Sequence, residues 1–439
     1  MQDLFKTIIA DFHQWKLPGP ITPRDLTVPF ESGKIISIIG PRRTGKTWYL
    51  YSLIDRLRDR VDPTKIVYIN FEDERIDIEK KDFHKIIDAY QQLYPSVDLS
   101  EVYFFFDEIQ EVEGWEKFIR RVHDTVSSKI WITGSSSRLM GKEIASSLRG
   151  RALSFTLLPF SFREFLRYHG VNPEEKYATR EKNILITHFD TFLRWGGFPE
   201  MFNLEDRMRI KTMQSYVDVM LYRDIIERHG LGKVHLVKDM MKRLISGNAK
   251  SFSVHKYYKD LKSRGISVGK NTLYDMLGHF EDSFAVISLA KYHDSSAKQE
   301  QSSKKVYVND PCVLSAYRFS SALDMGWYLE TFVLLELLKR GYTVFFHSNG
   351  FETDFLVHDG VRIVGAVQTS YEINEENRRR ELRGLYKAME RFTLDRGLII
   401  TYSQEEMFRS EVGEVEIIPA WKWALDDKTS ALTRSTFFD

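Results

Sequence analysis

At 439 residues the chain is too long for one ordinary domain, so two or three are expected. Its formal net charge of +1 supplies no global field for nucleic acid, and its 43% hydrophobic and 13% aromatic residues are enough for sizeable cores. The single cysteine, Cys312, excludes an internal disulfide framework and fits a reducing cytoplasm; the acid-containing start Met1–Lys6 reads as no signal peptide, and no apolar run reaches the roughly 18 residues of a membrane span.

In chain order, residues 1–30 read as a lead-in helix and a turn punctuated by Pro18, Pro20 and Pro23. The apolar run Ile35–Ile39 reads as a buried strand. Behind it Leu50, Leu53, Ile54 and Leu57 recur at the spacing of an amphipathic helix. Between them Gly40-Pro41-Arg42-Arg43-Thr44-Gly45-Lys46-Thr47 fits the phosphate-loop pattern at every fixed position, with Trp48 next. Backbone N–H groups and the helix N-terminus hold phosphate charge there, and Gly40 and Gly45 let the backbone come close. Lys46 is expected on the β- and γ-phosphates of ATP, and Thr47 on Mg²⁺.

A strand over Ile66–Phe71 follows, ending in Glu72-Asp73-Glu74-Arg75. Then Val102–Phe106 is an apolar strand closed by Asp107 and Glu108, the form of a Walker B segment. Asp107 is expected in the Mg²⁺ shell, and Glu108 polarises the attacking water. A helix over Trp115–Val126 and strands over Lys129–Thr133 and Leu153–Leu157 complete an alternation that means a parallel sheet covered by helices. The strand that separates the two phosphate-site segments in sequence, together with Glu108, points to the NTPases that use an in-line glutamate.

Residues 162–230 are helical in pattern, broken by Trp195–Pro199, and suit an ATPase lid. Helices over Val254–Ser263 and Asn271–Ser283, a turn at Gly265–Val268, and strands over Val286–Tyr292 and Lys304–Val308 make a winged-helix pattern; His293–Ser303 reads as a polar loop. A DNA-reading winged helix would present Lys270, Asn271, Thr272 and Tyr274, and one used only for packing is the alternative. The last block has a helix over Trp327–Lys339, strands over Tyr342–His347, Thr353–Val357 and Arg362–Thr369, a charged helix over Glu375–Arg391, and a strand over Gly397–Tyr402. The basic clusters Arg207/Arg209/Lys211 and Arg378–Arg380 read as solvated faces.

These residues resemble the AAA-type ATPases common in archaea, which join a phosphate-loop ATPase to a winged helix and a restriction-endonuclease-like domain. The segments that carry it are GPRRTGKT, NFEDER (70–75), FFFDEIQ (104–110), ITGSSS (132–137), LRGR (148–151), LLPFSFREF (157–165), GGFPE (196–200) and YRDIIER (222–228). The resemblance implies an α/β fold: an ATPase core over 1–160, a helical lid over 161–234, a winged helix over 235–324 and a small α/β nuclease-like domain over 325–439. It implies Ser135 as the sensor of the γ-phosphate, and Arg149 or Arg151 as the cation that neutralises transition-state charge, in cis or from a neighbouring subunit. In the last domain Glu330 and Asp354 suit two places of a nuclease metal site. Where that family has E-x-K, this chain has Ala366-Val367-Gln368, so the site is expected to be vestigial. The expected function is an Mg²⁺-dependent ATPase that drives conformational change on double-stranded DNA or a protein partner, with no membrane partner and a homo-oligomer in view. A slow nucleotide-controlled switch and an ATP-gated nuclease are the alternatives.

Overall fold

The computed structural model describes residues 1–134, 148–174, 178–317, 325–348 and 350–426. The chain divides into two compact units, one over Met1–Leu158 with 282–284, the other formed by the rest from Pro159 onward. No helix among the described residues is long and apolar enough to cross a membrane.

The first unit is built on five parallel strands, β1 (Ile35–Ile39), β2 (Ile66–Asn70), β3 (Tyr103–Asp107), β4 (Ile130–Gly134) and β5 (Ala152–Thr156), in the order β2-β3-β4-β1-β5. Its helices are α1 (Gln2–Gln14), α2 (Lys46–Arg58), α3 (His84–Leu93) and α4 (Trp115–Thr125). Strands covered on both faces read as continuous apolar runs, and their period of two sorts the side chains. Ile35, Ile39, Val67, Ile69, Phe104, Phe106 and Ile132 pack with α1, α3 and α4. Ile36, Ile38, Tyr68, Phe105 and Trp131 pack with Leu50, Leu53, Ile54 and Leu57 of α2. The strand that follows the phosphate loop in sequence goes to the sheet edge. It is β4 that lies between β1 and β3, bringing the end of β4 against the acidic end of β3.

The second unit holds two sheets. An antiparallel sheet of β6 (Lys250–Phe252), β7 (Val286–Leu289) and β8 (Lys304–Val308) has the order β6-β8-β7. It accompanies the helices Val254–Ser263 and Lys270–Asp282. A mixed sheet joins β9 (Thr343–Ser348), β10 (Glu352–His358), β11 (Ile363–Thr369), β12 (Arg396–Thr401), β13 (Glu406–Arg409) and β14 (Glu414–Pro419) in the order β13-β14-β12-β11-β10-β9. The helix Met325–Lys339 is apolar nearly all round and runs through the core of this unit.

Three expectations are corrected. The stretch 293–303 is not all loop: Ser296–Gln301 is helical, because Ala, Lys, Gln and Glu are good helix formers despite their polarity. The strand expected over Val286–Tyr292 stops at Leu289, and beyond it Lys291 bridges in parallel to Phe346 of β9. Strands β13 and β14 and the helix Ala420–Ala424 extend the last block past the elements anticipated there.

Several of the quoted segments have structural work in the second unit. Ser161 and Glu164 form a reciprocal capping box on the helix Phe162–Tyr168. In Gly196-Gly197 the backbone of Gly197 pairs with Phe160, and a Cβ there would lie 2.2 Å from the Phe160 carbonyl oxygen. A Cβ on Gly196 would lie 1.7 Å from the buried Asp310 carboxylate, which accepts the Gly197 N–H at 2.8 Å. YRDIIER falls in a π-helical stretch, Met220–Glu227, with Asp224 buried.

Candidate nucleotide site

The site is assembled at the C-terminal end of the parallel sheet, where β1 passes into α2. Gly45 takes a left-handed conformation (φ 89°, ψ 32°) and starts α2, so Lys46 and Thr47 fall in its first turn. Gly40 has a different reason to be glycine. A Cβ there would lie 2.2 Å from the Leu157 carbonyl oxygen, at the point where the Leu157 N–H meets the Ile39 carbonyl. Arg24 braces the loop from outside, donating to the carbonyls of Thr44 (2.9 Å) and Leu158 (2.6 Å). Thr44 closes it from within, its hydroxyl donating to the Pro41 carbonyl at 3.0 Å.

Lys46 is buried. Its Nζ donates to the Pro41 carbonyl at 2.9 Å and the Gly40 carbonyl at 3.2 Å, and stands 3.8 Å from Glu108 Oε1. Burial pulls its pKa down from the ordinary lysine value, while Glu108 and Asp107 push it back up. Arg42 stands 3.6 Å from Glu72, which ties the loop to the acidic segment after β2. Arg43 takes a positive φ of 66°. Trp48 is half exposed and packs edge-on against Tyr51.

Residues 68, 107 and 133 share the α2 face by the period-two rule, and their side chains converge. Asp107 accepts hydrogen bonds from the hydroxyls of Thr47, Thr133 and Tyr68, the last at 2.9 Å. Burial raises the Asp107 pKa against the pull of these donors. Glu108 adopts a left-handed backbone (φ 49°, ψ 43°), rare for a residue with a side chain and a form of strain that gathers at functional sites. Its N–H donates to Thr133 Oγ1 at 2.9 Å, and its Oε2 accepts from Gln110 Nε2 at 2.6 Å.

So the structure brings together Lys46, Thr47, Asp107 and Glu108. It adds Tyr68, Thr133, Gln110 and Arg24, which sequence reasoning did not single out. Ser135 lies outside the described residues; Thr133, two residues earlier on the inward face, makes the contact to both acids. The alternation along β4 carried that signal. Arg149 and Arg151 lie elsewhere. Ala152 pairs with Ile35 at the start of β1, so both arginines sit at the end of the sheet opposite the phosphate loop, a strand length of about 16 Å away. Arg151 forms a two-pronged pair with Asp124 (2.8 and 3.0 Å); Arg149 is exposed with φ 50°. Neither reaches the loop of its own chain.

For Mg²⁺, the Thr47 hydroxyl and the Asp107 carboxylate are hard oxygen donors already in contact. A magnesium site of this kind needs one or two carboxylates, with phosphate and water supplying the rest, so these residues fit the ion.

In the second unit Glu330 and Asp354 do come together, but around a lysine. Lys305 Nζ lies 3.3 Å from Glu330, 3.2 Å from Asp354 and 3.4 Å from Glu352. Tyr307 donates to Glu330 at 2.7 Å. Burial and then Asp354 raise the Glu330 pKa to about 7, opposed by Lys305 and Tyr307. Gln368 accepts the Asp354 N–H (3.2 Å) and donates to the buried Glu381 (2.6 Å). An ammonium group thus stands among the carboxylates that a nuclease metal would need, and no group of metal-ligating side chains is set for a cation among the described residues. Lys270, Asn271, Thr272 and Tyr274 are exposed on the first turns of their helix, while Leu273 and Met276 face the core. Of the basic clusters, Arg209 pairs with Asp206, Arg378 with Glu406 and Arg380 with Glu381.

Comparison with known proteins agrees with this architecture. A family model described as an AAA domain matches residues 32–166, and one described as a domain of unknown function matches 186–323. The uncharacterized protein MJ1544 of Methanocaldococcus jannaschii is 34% identical over 436 residues, covering 96% of this chain and 95% of that protein. An uncharacterized protein of Haemophilus influenzae is 26% identical, over 91% of this chain and 96% of its own length. Among solved structures, the Aeropyrum pernix ORC1 protein in complex with DNA aligns at 13% identity and a TM-score of 0.26, covering 72% of this chain and 90% of that one.

Proposed function

Since this chain belongs to the archaeal-type AAA ATPases, we propose that it binds Mg²⁺–ATP between residues 40–47 and the acidic pair Asp107–Glu108 and hydrolyses it, using the cycle to change conformation on DNA or a protein partner. The observation that carries the reading is the convergence of Thr47, Thr133 and Tyr68 on Asp107, with Lys46 Nζ 3.8 Å from Glu108.

Lys46 holds loop carbonyls and faces Glu108 in the nucleotide-free arrangement. A triphosphate supplies stronger anionic partners, and Lys46 turns to its β- and γ-oxygens. The loop N–H groups and the start of α2 take the remaining charge. Thr47 and Asp107 hold the magnesium ion, which when bound neutralises charge on the β- and γ-phosphates. Glu108, released by Lys46, accepts a proton from the water that attacks the γ-phosphorus as the bond to the ADP oxygen breaks. Thr133 links the two acids and passes their displacement to β4. Arg149, exposed and far from its own loop, serves a neighbouring copy. Mixing Arg149→Ala with Lys46→Ala chains should restore turnover that each lacks alone, and no recovery would remove the trans role.

The exposed residues Lys270, Asn271, Thr272 and Tyr274 support double-stranded DNA as the partner, read by a winged helix. Buried Cys312 supports a reducing cytoplasmic setting. The test of the core proposal is Glu108→Gln. ATP binding should persist while steady-state hydrolysis is lost. Unchanged hydrolysis would remove Glu108 from its role.

A further inference from the structure

We infer that Gln110 is a second water-positioning residue of the ATPase centre, acting beside Glu108. The inference rests on the reading of Glu108 as the proton acceptor. Gln110 lies in the 3₁₀ turn Ile109–Glu111, and the left-handed backbone of Glu108 folds that turn back so that residue 110 lies over residue 108. The contact fixes which way the amide points. A carboxylate only accepts, so the group 2.6 Å from Glu108 Oε2 is the Nε2 donor.

The amide oxygen therefore points elsewhere. Gln110 is 9% exposed, and its Oε1 is shut from solvent with no hydrogen-bond partner among the described residues. An orphaned buried carbonyl costs about 1–3 kcal/mol, so a native site keeps one for a reason. The chemistry next door supplies that reason. A hydrolytic water has two protons and must present a lone pair to phosphorus. One proton goes to the base; the other must be held, or the molecule rotates. Glu108 offers the first acceptor and Gln110 Oε1 the second. The same amide braces the carboxylate through Nε2, so one side chain orients both base and nucleophile.

This role separates from a merely structural one. A leucine or methionine at 110 has nearly the same volume and removes the orphan carbonyl, so neither fold nor nucleotide pocket should suffer. We expect Gln110→Leu and Gln110→Met to lower kcat for ATP by roughly 10²-fold, with ATP affinity within about twofold of wild type and a melting temperature that does not fall. Adding either change to Glu108→Gln should slow turnover no further, because both groups act on one water. Turnover within about twofold of wild type in the folded variants, or a kcat loss matched by a fall in affinity and melting temperature, would overturn the inference. Should Glu108→Gln itself hydrolyse ATP at the wild-type rate, the reading of Glu108 fails and this inference fails with it. A dead Glu108→Gln beside an unimpaired Gln110→Leu sinks the Gln110 role alone.

Discussion

Thr133 joins the two acids of the site: its hydroxyl donates to the Asp107 carboxylate and accepts the backbone N–H of Glu108 at 2.9 Å. One side chain on β4 therefore fixes the rotamer of Asp107 and satisfies the strained peptide of Glu108. Replacing it with valine keeps the shape and leaves a buried acceptor and a buried N–H unmet, at about 1–3 kcal/mol. We expect Thr133→Val to lower the melting temperature by several degrees and turnover by at least tenfold, with ATP still bound. Calorimetric melting and a phosphate-release assay check both parts. Wild-type turnover would show that the link is dispensable.

The close approach at Gly197 is equally sharp. An added methyl would sit 2.2 Å from the Phe160 carbonyl oxygen, and backbone cannot yield as a flexible side chain does. Gly197→Ala should cost about 3 kcal/mol or more in urea unfolding, although residue 197 lies outside the nucleotide site. A loss below about 1 kcal/mol would contradict the packing described.

Asp310 gives a pH signature. Burial raises its pKa to about 6, against the N–H groups of Gly197 and Cys312 and the charge of Lys339. The folded chain then holds this proton more tightly than the unfolded chain, whose carboxyl titrates near 3.8. Any stability tied to the proton is present below pH 3.8 and is lost as pH rises through 6, by at most about 3 kcal/mol. Asp310→Asn should remove that part of the slope between pH 4 and 6.5, read as the difference in unfolding free energy from wild type. Parallel curves would refute it.

Lys305 predicts the behaviour of the carboxylate cluster. Its pKa stays high because Asp354, Glu330 and Glu352 outweigh the large penalty of burial. Lys305→Met strips that compensation and should cost about 3–5 kcal/mol at neutral pH. Part of the loss should return near pH 5, where the carboxyls take up protons. A variant as stable as wild type at pH 7.5 would mean that the pairs contribute little.

The phosphate loop and the acidic strand end were legible because their chemistry demands fixed residue types at fixed spacing. The parallel sheet was legible as alternation, but its order was not, since the placing of β4 between β1 and β3 is a tertiary choice that no local pattern encodes. Thr133 could have been found from the alternation that buries Trp131 on the same face. Lys305 could not. Its partners lie on the helix Met325–Lys339 and on β10, and only the folded chain reveals that a lysine amid apolar strand residues faces three acids. Strands β13 and β14 were missed because they are short and partly polar, with Met407 of β13 exposed.

The central claim is that ATP and magnesium dock on residues 40–47 against Asp107. Isothermal titration of the intact chain with ATP and Mg²⁺ tests it most directly, with Lys46→Ala as the comparison. We predict saturable one-site binding for wild type, weakened at least tenfold in the variant, since Lys46 supplies a charge-assisted contact in a buried site. No heat of binding in wild type, or equal affinity in Lys46→Ala, would contradict it.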